Sequence, residues 1–398
     1  MPPVLPRSDL TRPARSSTVI FDTGSSDLVL TRSNCTNCAG QRKYDSSKSS
    51  SFSVQPAIQE VIPFGTGANA VPLGEPQNAS GIVVTDTVTI GGRTVPKQAF
   101  LLQDTVAVAF NQMPIDGVLG MPPFSRSNLV APGDNSVKPA FWELSAAGQL
   151  PNPVFSFLFN SGRSEDGQGG ELLLGGIDES KHDGPITYVG LNETVTRIFG
   201  EWLVMTPEVS VNGKAILQDP LSISLLDTGT AYILAPDEAT ARKLYAAVSP
   251  DIRQIDPNGA WGAPCDVMQK LQPNLTFVVS DDKGAKFTLH IDTKSFNVGE
   301  YPGQKGTCQA VVLHPVPPVN VGVPFWTIGS PALKSYYTIW DGNNMKIGFA
   351  NPKRASGGDE DNDGNGPFDA PDDAGTLQRP ALLAVLFIAG VSALFPLF

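Results

Sequence analysis

The sequence predicts an all-β protein with two lobes, and three observations support that prediction. A chain of 398 residues exceeds what one ordinary hydrophobic core accommodates, which favours two domains or lobes. The 39 Gly and 35 Pro residues are spread along the chain and indicate many turns between short strands. A short motif around Asp22 recurs around Asp227, as expected for two lobes that are built alike.

Strand-sized apolar runs, separated by turn signals, extend from Thr18 to about Asn351. Clear examples are Thr18–Phe21, Ile82–Thr85, Val88–Ile90, Phe155–Phe159 and Thr276–Val279. Helical signals are few, and the clearest is Asp237–Val248, which begins after a proline and has an acidic first turn. We therefore expect strands throughout and only a few short helices.

The overall charge argues against nucleic-acid binding. The formal net charge is −11 and the sequence pI is near 4.8, whereas a nucleic-acid surface needs clustered Lys and Arg. An acidic chain fits secretion into an acidic medium, and it fits an ordinary acidic soluble protein equally well.

The cysteines and sequons indicate an oxidising, secretory environment. Because the chain has only three His residues, which are scattered, we expect no zinc site and no other metal. The C-x-x-C at Cys35 and Cys38 could be a redox motif, but the polar loop that follows it and the lack of a βαβ unit favour a local disulfide. Glycosylation sequons, which also arise by chance, occur at Asn34, Asn78, Asn192 and Asn274.

The strongest signal is the motif that occurs twice. It reads Val19-Ile-Phe-Asp22-Thr-Gly-Ser25 in the first half and Ser224-Leu-Leu-Asp227-Thr-Gly-Thr230 in the second. One Asp-Thr-Gly after an apolar run means little, because aspartates of turns and caps are common. Two such motifs, each ending in a hydroxyl residue, predict that each lobe delivers one carboxyl group.

The chemistry of hydrolysis explains why two carboxyls are needed. Two carboxyls at hydrogen-bonding distance cannot both ionise without a large penalty, so the pair shares one proton at acidic pH. One member then acts as a base towards water while the other polarises a peptide carbonyl. Asp22 and Asp227 are therefore the candidate catalytic residues of a hydrolase that needs no cofactor. A serine hydrolase is disfavoured because the sequence has no G-x-S-x-G elbow.

From Ser17 to Pro352 the sequence closely resembles the pepsin-like aspartic proteases, which are bilobal, all-β acid endopeptidases. Besides the Asp motifs, Asp116–Gly120 and Trp326–Gly329 resemble the apolar-Gly segments that lie behind each Asp in the family. Leu172–Asp178 resembles the end of the first lobe, and Tyr336–Asp341 and Lys346–Ala350 resemble the last strands. The resemblance implies a bilobal pepsin-like fold with two related β-barrel-like lobes and a few short helices. It also implies polypeptide substrates and a monomeric enzyme.

The same resemblance implies roles for individual residues. Ser25 and Thr230 should hydrogen-bond the outer oxygens of the two aspartates, with Gly24 and Gly229 in support. The tip of a flap that closes over the substrate should comprise Phe64, Gly65, Thr66 and Gly67. The family's disulfide layout pairs Cys35 with Cys38 and Cys265 with Cys308.

Three departures from the family pattern bear on folding, rate and specificity. A strand with a Gly-Thr-Pro element, and a signal peptide and propeptide before it, normally precede the first Asp motif, whereas here only residues 1–17 do. Phe64 stands where the flap normally has a Tyr, and Val29 stands where a Trp normally follows the first motif; in the family that Tyr hydrogen-bonds to that Trp. Ala68–Ser80 enlarges the flap region. We expect the natural chain to begin upstream of Met1.

Composition divides the chain into five parts. We expect an atypical N-terminus at 1–17, an N-terminal lobe at 18–180, a C-terminal lobe at 181–352, an acidic Gly-rich stalk at 353–375 and a hydrophobic C-terminal signal at 376–398. The uncharged run Ala381–Phe398 could be a transmembrane helix, a buried helix or a cleaved GPI signal. The small residues Asp373-Ala374-Gly375 and the short polar spacer Thr376–Pro380 that follows them favour the GPI signal. We expect a secreted, fungal-type enzyme anchored at the cell surface or in the cell wall.

A rival interpretation is a cell-surface binding protein that keeps the bilobal cleft but is catalytically weak or inactive. The altered flap and the atypical N-terminus are its only support. Both Asp motifs are complete, which argues against it, because the simplest inactive cleft lacks one carboxylate.

Overall fold

The computed structural model of the chain describes residues 16–38, 40–63, 78–106, 115–131, 134–159, 170–316 and 321–353, without the side chains of 56–63 and 78. Within these ranges strands dominate and the helices are short. This confirms the predicted all-β, bilobal fold. No helix among the described residues has the length and apolar character needed to cross a membrane.

The described strands are numbered in chain order. They are β1 (Val19–Asp22), β2 (Leu28–Thr31), β3 (Ser53–Pro63), β4 (Asn78–Ile90), β5 (Arg93–Thr105), β6 (Gly117–Gly120), β7 (Val154–Phe159), β8 (Gly170–Leu174), β9 (His182–Gly190), β10 (Leu203–Val211), β11 (Lys214–Gln218), β12 (Ile223–Leu226), β13 (Ile233–Leu234), β14 (Arg253–Gln254), β15 (Trp261–Pro264), β16 (Leu275–Ser280), β17 (Lys286–Ile291), β18 (Asn297–Glu300), β19 (Thr307–Ala310), β20 (Val312–Leu313), β21 (Phe325–Ile328), β22 (Tyr337–Asp341) and β23 (Lys346–Pro352). The helices are α1 (Ala140–Ala146), α2 (Glu193–Phe199), α3 (Glu238–Val248), α4 (Cys265–Met268) and α5 (Ser330–Leu333), with 3-10 turns at Ser46–Lys48 and Thr293–Ser295.

Two of the sheets repeat one arrangement of four strands. The first sheet has the order β1-β6-β2-β5-β4-β3, and its first four strands form the run β1-β6-β2-β5. The second sheet contains the corresponding run β12-β21-β13-β20. In both runs the outer two pairs are parallel and the middle pair is antiparallel. The two halves of the chain therefore build the same local framework, which is the structural counterpart of the repeated sequence motif.

Two further sheets complete the described fold. The order β14-β15-β19-β18 forms a small sheet in the second half. The order β8-β7-β22-β23-β9 combines strands from the middle of the chain with the last two strands. Because this sheet draws on both halves, it joins them. The domain bounds 18–180 and 181–352 stay predictions.

The alternation of side chains along β2 shows why this short apolar run forms an interior strand. Leu28 and Leu30 pack into the apolar cluster on one face of the first sheet, and Val29 packs with Leu101 and Val118 on the other. Successive residues of a strand point to opposite faces. A strand that is covered on both faces reads as a continuous apolar run rather than as an alternating one.

The one helix that the sequence singled out is present. Helix α3 covers Glu238–Val248, and Asp237 caps its N-terminus by accepting a hydrogen bond from the Thr240 N–H at 2.7 Å. The buried residues Leu244 and Tyr245 lie on its inner side. The predicted start at Asp237 is the cap rather than the first helical residue.

Aromatic residues pack the region where the halves meet. Phe155 stacks on Trp340 at a centroid separation of 6.0 Å, and Trp202 meets Trp340 edge-on at 5.1 Å. The Trp202 indole N–H also donates to the Met121 carbonyl at 2.7 Å. Met121 directly follows β6, so this cluster supports the strand that lies beside the first Asp motif.

The four cysteines form two disulfides. Cys35 is bonded to Cys38 and Cys265 to Cys308. The first closes a tight loop after β2, and the second joins α4 to β19. The Cys35–Cys38 bond agrees with the predicted local disulfide.

Candidate active site

Asp22 and Asp227 lie at corresponding positions in the two repeated frameworks. Asp22 ends β1, and Asp227 directly follows β12. Both side chains are buried, with 1% and 0% of their surface exposed. The neighbouring parallel strand holds each one through the backbone, because Met121 N–H donates to the Asp22 carbonyl at 2.8 Å and Asp227 N–H donates to the Ile328 carbonyl at 3.0 Å.

The glycines of the two motifs show how closely the halves approach. A Cβ atom added to Gly24 would lie 2.5 Å from Cγ of Asp227. A Cβ atom added to Gly229 would lie 2.3 Å from Oδ1 of Asp22. Each glycine therefore packs against the carboxyl of the opposite motif, and any side chain at either position would displace it.

Each carboxyl accepts two hydrogen bonds from its own motif, one from the backbone N–H of the glycine and one from the hydroxyl of the residue after it. The donors are Gly24 N (2.9 Å) and Ser25 Oγ (2.5 Å) to Asp22, and Gly229 N (2.8 Å) and Thr230 Oγ1 to Asp227. In each case the hydroxyl donates to Oδ2, the oxygen that the glycine N–H does not contact. These contacts fix the orientation of both carboxyl planes.

A pair of threonines joins the two motifs, and the sequence reasoning assigned them no role. Thr23 N–H donates to Thr228 Oγ1 at 3.1 Å, and Thr228 N–H donates to Thr23 Oγ1 at 3.0 Å. Each hydroxyl then donates to a backbone carbonyl of the other half, Thr23 to Leu226 at 2.9 Å and Thr228 to Phe21 at 2.8 Å. The identical Thr in both motifs was the signal that could have revealed this link.

The environment favours a proton shared between the two carboxyls. Burial raises the pKa of Asp22 well above its ordinary value, and the negative charge of Asp227 raises it further. Burial also raises the pKa of Asp227, although hydrogen bonds from Asp22 and Thr230 oppose that change. The pair therefore retains one proton to higher pH than isolated carboxyls do, and the arrangement offers one general base and one general acid.

The apolar-Gly segments lie behind the aspartates. Strand β6 runs between β1 and β2, and β21 runs between β12 and β13. At the end of each, a glycine permits close contact: a Cβ atom on Gly120 would lie 2.3 Å from the Ser26 carbonyl carbon, and one on Gly329 would lie 2.3 Å from the Tyr232 oxygen. Both segments thus support the loops that carry the catalytic candidates.

A third buried carboxyl, Asp27, was also missed by the sequence reasoning. It lies on the first Asp loop with 5% of its surface exposed. Ser127 Oγ donates to its Oδ1 at 2.6 Å, and Asn128 N–H donates to its Oδ2 at 2.7 Å. Burial raises its pKa to about 6, although these two hydrogen bonds oppose the change. Asp27 thereby ties the first Asp loop to the segment beyond β6.

The predicted flap lies outside the described residues. Strands β3 and β4 pair antiparallel as far as Pro63 and Asn78, and the predicted tip, Phe64–Gly67, falls in the segment that joins them. Val29, its proposed partner, is buried within β2. The flap assignment therefore stays a prediction.

The predicted glycosylation and anchor sites have different settings. Asn34 and Asn274 are exposed. Asn192 is partly buried, and its side-chain oxygen accepts from Val195 N–H as the cap of α2. Asn78 begins β4, but its side chain is not described, and Asp373 lies outside the described residues.

Comparisons with known proteins agree with this geometry. The sequence profile named "Eukaryotic aspartyl protease" matches residues 9–352. The chain is 30% identical to cathepsin D of Dictyostelium discoideum over 348 residues, covering 85% of this chain and 80% of that protein. It is 29% identical to pepsin-2B of Gadus morhua, covering 85% and 92%, and 28% identical to renin-2 of Mus musculus, covering 85% and 77%. The chain therefore belongs to the eukaryotic aspartyl protease family, the pepsin-like aspartic endopeptidases.

Proposed function

We propose that this protein hydrolyses peptide bonds within polypeptides at acidic pH, with Asp22 and Asp227 as its catalytic pair. The observation that supports this most strongly is the mutual packing of the two motifs, in which the glycine of each lies against the carboxyl of the other. Two buried carboxyls held in this way share a proton. One chain supplies both, so a single copy carries the complete pair.

The mechanism follows from that shared proton. The ionised carboxylate takes a proton from a water molecule as the water oxygen attacks the peptide carbonyl carbon. The protonated carboxyl donates to the carbonyl oxygen and so stabilises the tetrahedral intermediate. A proton then passes to the amide nitrogen, and the C–N bond breaks to release two peptides. Ser25 and Thr230 hold the carboxyls in position throughout.

Single replacements of the aspartates test the proposal. Asp22→Asn and Asp227→Asn should each abolish statine-sensitive cleavage of an unfolded polypeptide at acidic pH, while chelators leave the wild-type activity intact. Asp282→Asn is the matched control, because it makes the same chemical change at an exposed surface position. Substantial cleavage by Asp22→Asn protein would contradict the assignment. The inactive binding protein is not favoured, because neither carboxylate is missing.

We propose further that the protein follows the secretory route and is glycosylated. The two disulfides and the exposed side chains of Asn34 and Asn274 support this. Asn192 is a poorer acceptor while it caps α2, and Asn78 remains a candidate from its sequon alone. Glycosidase digestion followed by peptide mass mapping should locate glycans at Asn34 and Asn274. Unmodified asparagine at both positions in protein from its natural source would contradict this.

The C-terminal sequence supports a fungal-type GPI anchor at the cell surface or wall, attached near Asp373. The supporting features are the acidic stalk, the small residues and the uncharged tail Ala381–Phe398. A phosphatidylinositol-specific phospholipase should release the protein from cells. An intact peptide that contains Phe398, recovered from the surface protein, would contradict the anchor. Size-exclusion chromatography of the released protein should show a monomer.

A further inference from the structure

Arg126 lies on the segment that follows β6 and contacts the end of helix α2. Its guanidinium Nη1 donates to the Ile198 carbonyl at 3.1 Å. A Cβ atom added to Gly200 would lie 3.8 Å from Arg126 Cδ, so the stem of this side chain also passes over the end of the helix. The last carbonyls of a helix have no partner within the helix, and a cation is favourable there. Arg126 therefore ties the segment after β6 to the C-terminal end of α2.

The same segment is fixed to the loop that carries Asp22. Asp27, on that loop, accepts from Ser127 Oγ at 2.6 Å and from Asn128 N–H at 2.7 Å. Ser127 and Asn128 directly follow Arg126 in the chain. Because one buried carboxyl holds both of these residues, Arg126 projects from a support that is anchored to the first Asp motif.

On its other side, helix α2 is connected to the strand that Asp227 follows. The helix leads directly into β10, and β10 pairs with β12 so that Leu203 lies opposite Leu225. Phe199, the last residue of α2, packs against the apolar cluster that includes Leu203 and Leu225. A displacement at the end of α2 is therefore passed to the strand that ends just before Asp227.

These contacts form a path between the two Asp motifs that is separate from the threonine pair. Trp202 adds a second attachment to it, because its indole N–H donates to the Met121 carbonyl at 2.7 Å and its own carbonyl accepts from Leu226 N–H at 3.1 Å. The segment after β6 thus holds the connection between α2 and β10 at two points. Met121 contributes only its backbone carbonyl, whereas Arg126 contributes its side chain. The Arg126 contact can therefore be removed by substitution.

We propose that Arg126 is a positioning residue for the catalytic pair, which holds the strand before Asp227 in place relative to the loop that carries Asp22. The inference rests on the proposed hydrolysis by these two aspartates. Arg126 acts through helix α2 and touches neither carboxyl. A small displacement of one reacting group slows the chemical step strongly. Loss of the Arg126 contact should therefore lower kcat and leave KM nearly unchanged.

Kinetics of Arg126→Met test the proposal, because this change keeps an unbranched apolar stem and removes the charge and the donor. The variant should lose kcat about 3- to 10-fold, the range expected for the net loss of one partly exposed hydrogen bond, with KM within about twofold. Arg126→Lys keeps a cation and a donor and should recover most of kcat.

Arg197→Met is the matched control for these kinetics. It removes an exposed cation from the last turn of the same helix, where Arg197 pairs only with Glu193 among the described ion pairs, and it should leave kcat within about twofold. A kcat for Arg126→Met equal to that of the control, a loss confined to KM, or a loss that Arg126→Lys does not recover would overturn the proposal.

A double-mutant cycle tests whether the effect depends on the first Asp loop. Asp27→Ala removes both hydrogen bonds that fix Ser127 and Asn128. Arg126→Met should therefore lower kcat by a smaller factor in the Asp27→Ala background than in the wild type. Equal factors in the two backgrounds would overturn the proposal, because they would show that Arg126 acts independently of the loop that carries Asp22.

Amide hydrogen exchange gives a readout that does not need activity. Arg126→Met should speed exchange in peptides that cover Ser224–Thr230 at least about threefold, whereas Arg197→Met should not change it. Unchanged exchange in that segment would overturn the proposal. If the wild type does not cleave polypeptides, the proposed function fails, and this measurement still decides whether Arg126 holds the second Asp motif. The two failures are therefore distinguishable.

Discussion

Replacement of Asp27 by asparagine should make the protein more stable at neutral pH than the wild type. The Asp27 carboxyl is 5% exposed, and burial raises its pKa from 3.8 to about 6. A folded-state pKa above the unfolded value means that the folded protein binds the proton more tightly. The resulting stabilisation is complete below pH 3.8 and is lost as the pH rises through about 6.

The size of this effect follows from the pKa difference. A shift of about two units corresponds to about 3 kcal/mol of unfolding free energy that Asp27 contributes at pH 3 and no longer contributes at pH 7. An asparagine oxygen can accept from Asn128 N–H, and the asparagine nitrogen can donate to Ser127 Oγ, which reverses the hydrogen bond that Ser127 donates to the ionised carboxylate. The variant therefore keeps both contacts of the protonated acid and does not ionise.

Urea unfolding of both proteins from pH 4 to pH 7.5 measures the difference. The wild type should lose about 2–3 kcal/mol more than Asp27→Asn protein over that range, with most of the divergence accumulating between about pH 4 and pH 6. Asp282→Asn, at an exposed position, should follow the wild-type curve. Parallel curves for wild type and Asp27→Asn would refute the reasoning, because they would show that this carboxyl does not titrate abnormally.

Three further predictions concern the link between the halves, the disulfides and the flap. Thr23→Val and Thr228→Val should each lower the unfolding free energy by about 1–3 kcal/mol, as urea unfolding would measure. The double variant should lose less than the sum of the two single losses, because the two residues share their hydrogen bonds. Cys308→Ser removes the Cys265–Cys308 disulfide, which closes a loop with a sequence separation of 43, and should lower the unfolding free energy by about 4 kcal/mol. Thermal unfolding under oxidising conditions measures this loss, and a loss below about 1 kcal/mol would contradict the prediction. Phe64→Tyr alone should change kcat/KM little. Phe64→Tyr combined with Val29→Trp should raise kcat/KM by more than the two single changes together. If the two effects are simply additive, Phe64 and Val29 are not partners.

The catalytic candidates could be predicted because their signal is local. An apolar run followed by Asp-Thr-Gly is visible within seven residues, and it occurs twice. The resemblance likewise anticipated the bonds from Ser25 and Thr230, which lie three residues from the aspartates that they contact. Helix α3 was predictable for the same reason, since its cap and its buried residues are close in sequence.

The contacts that were missed depend on distant residues. Thr23 bonds to Thr228, which is 205 residues away, and Asp27 is satisfied by residues about 100 positions later. Burial of a carboxyl that follows two serines cannot be recognised from its neighbours alone. The strands that β22 and β23 would pair with were also not indicated by their own sequences, because several apolar strands could have served.

Kinetic comparison of Asp22→Asn, Asp227→Asn and the double replacement tests the central claim most directly, since the two carboxyls are proposed to act as one unit. Each single variant should lose nearly all of kcat at acidic pH, and the double variant should lose little more, because the shared proton is gone once either carboxyl is replaced. Circular dichroism should show that all three remain folded. Losses that multiply in the double variant, or a single variant that keeps substantial kcat, would contradict the catalytic pair.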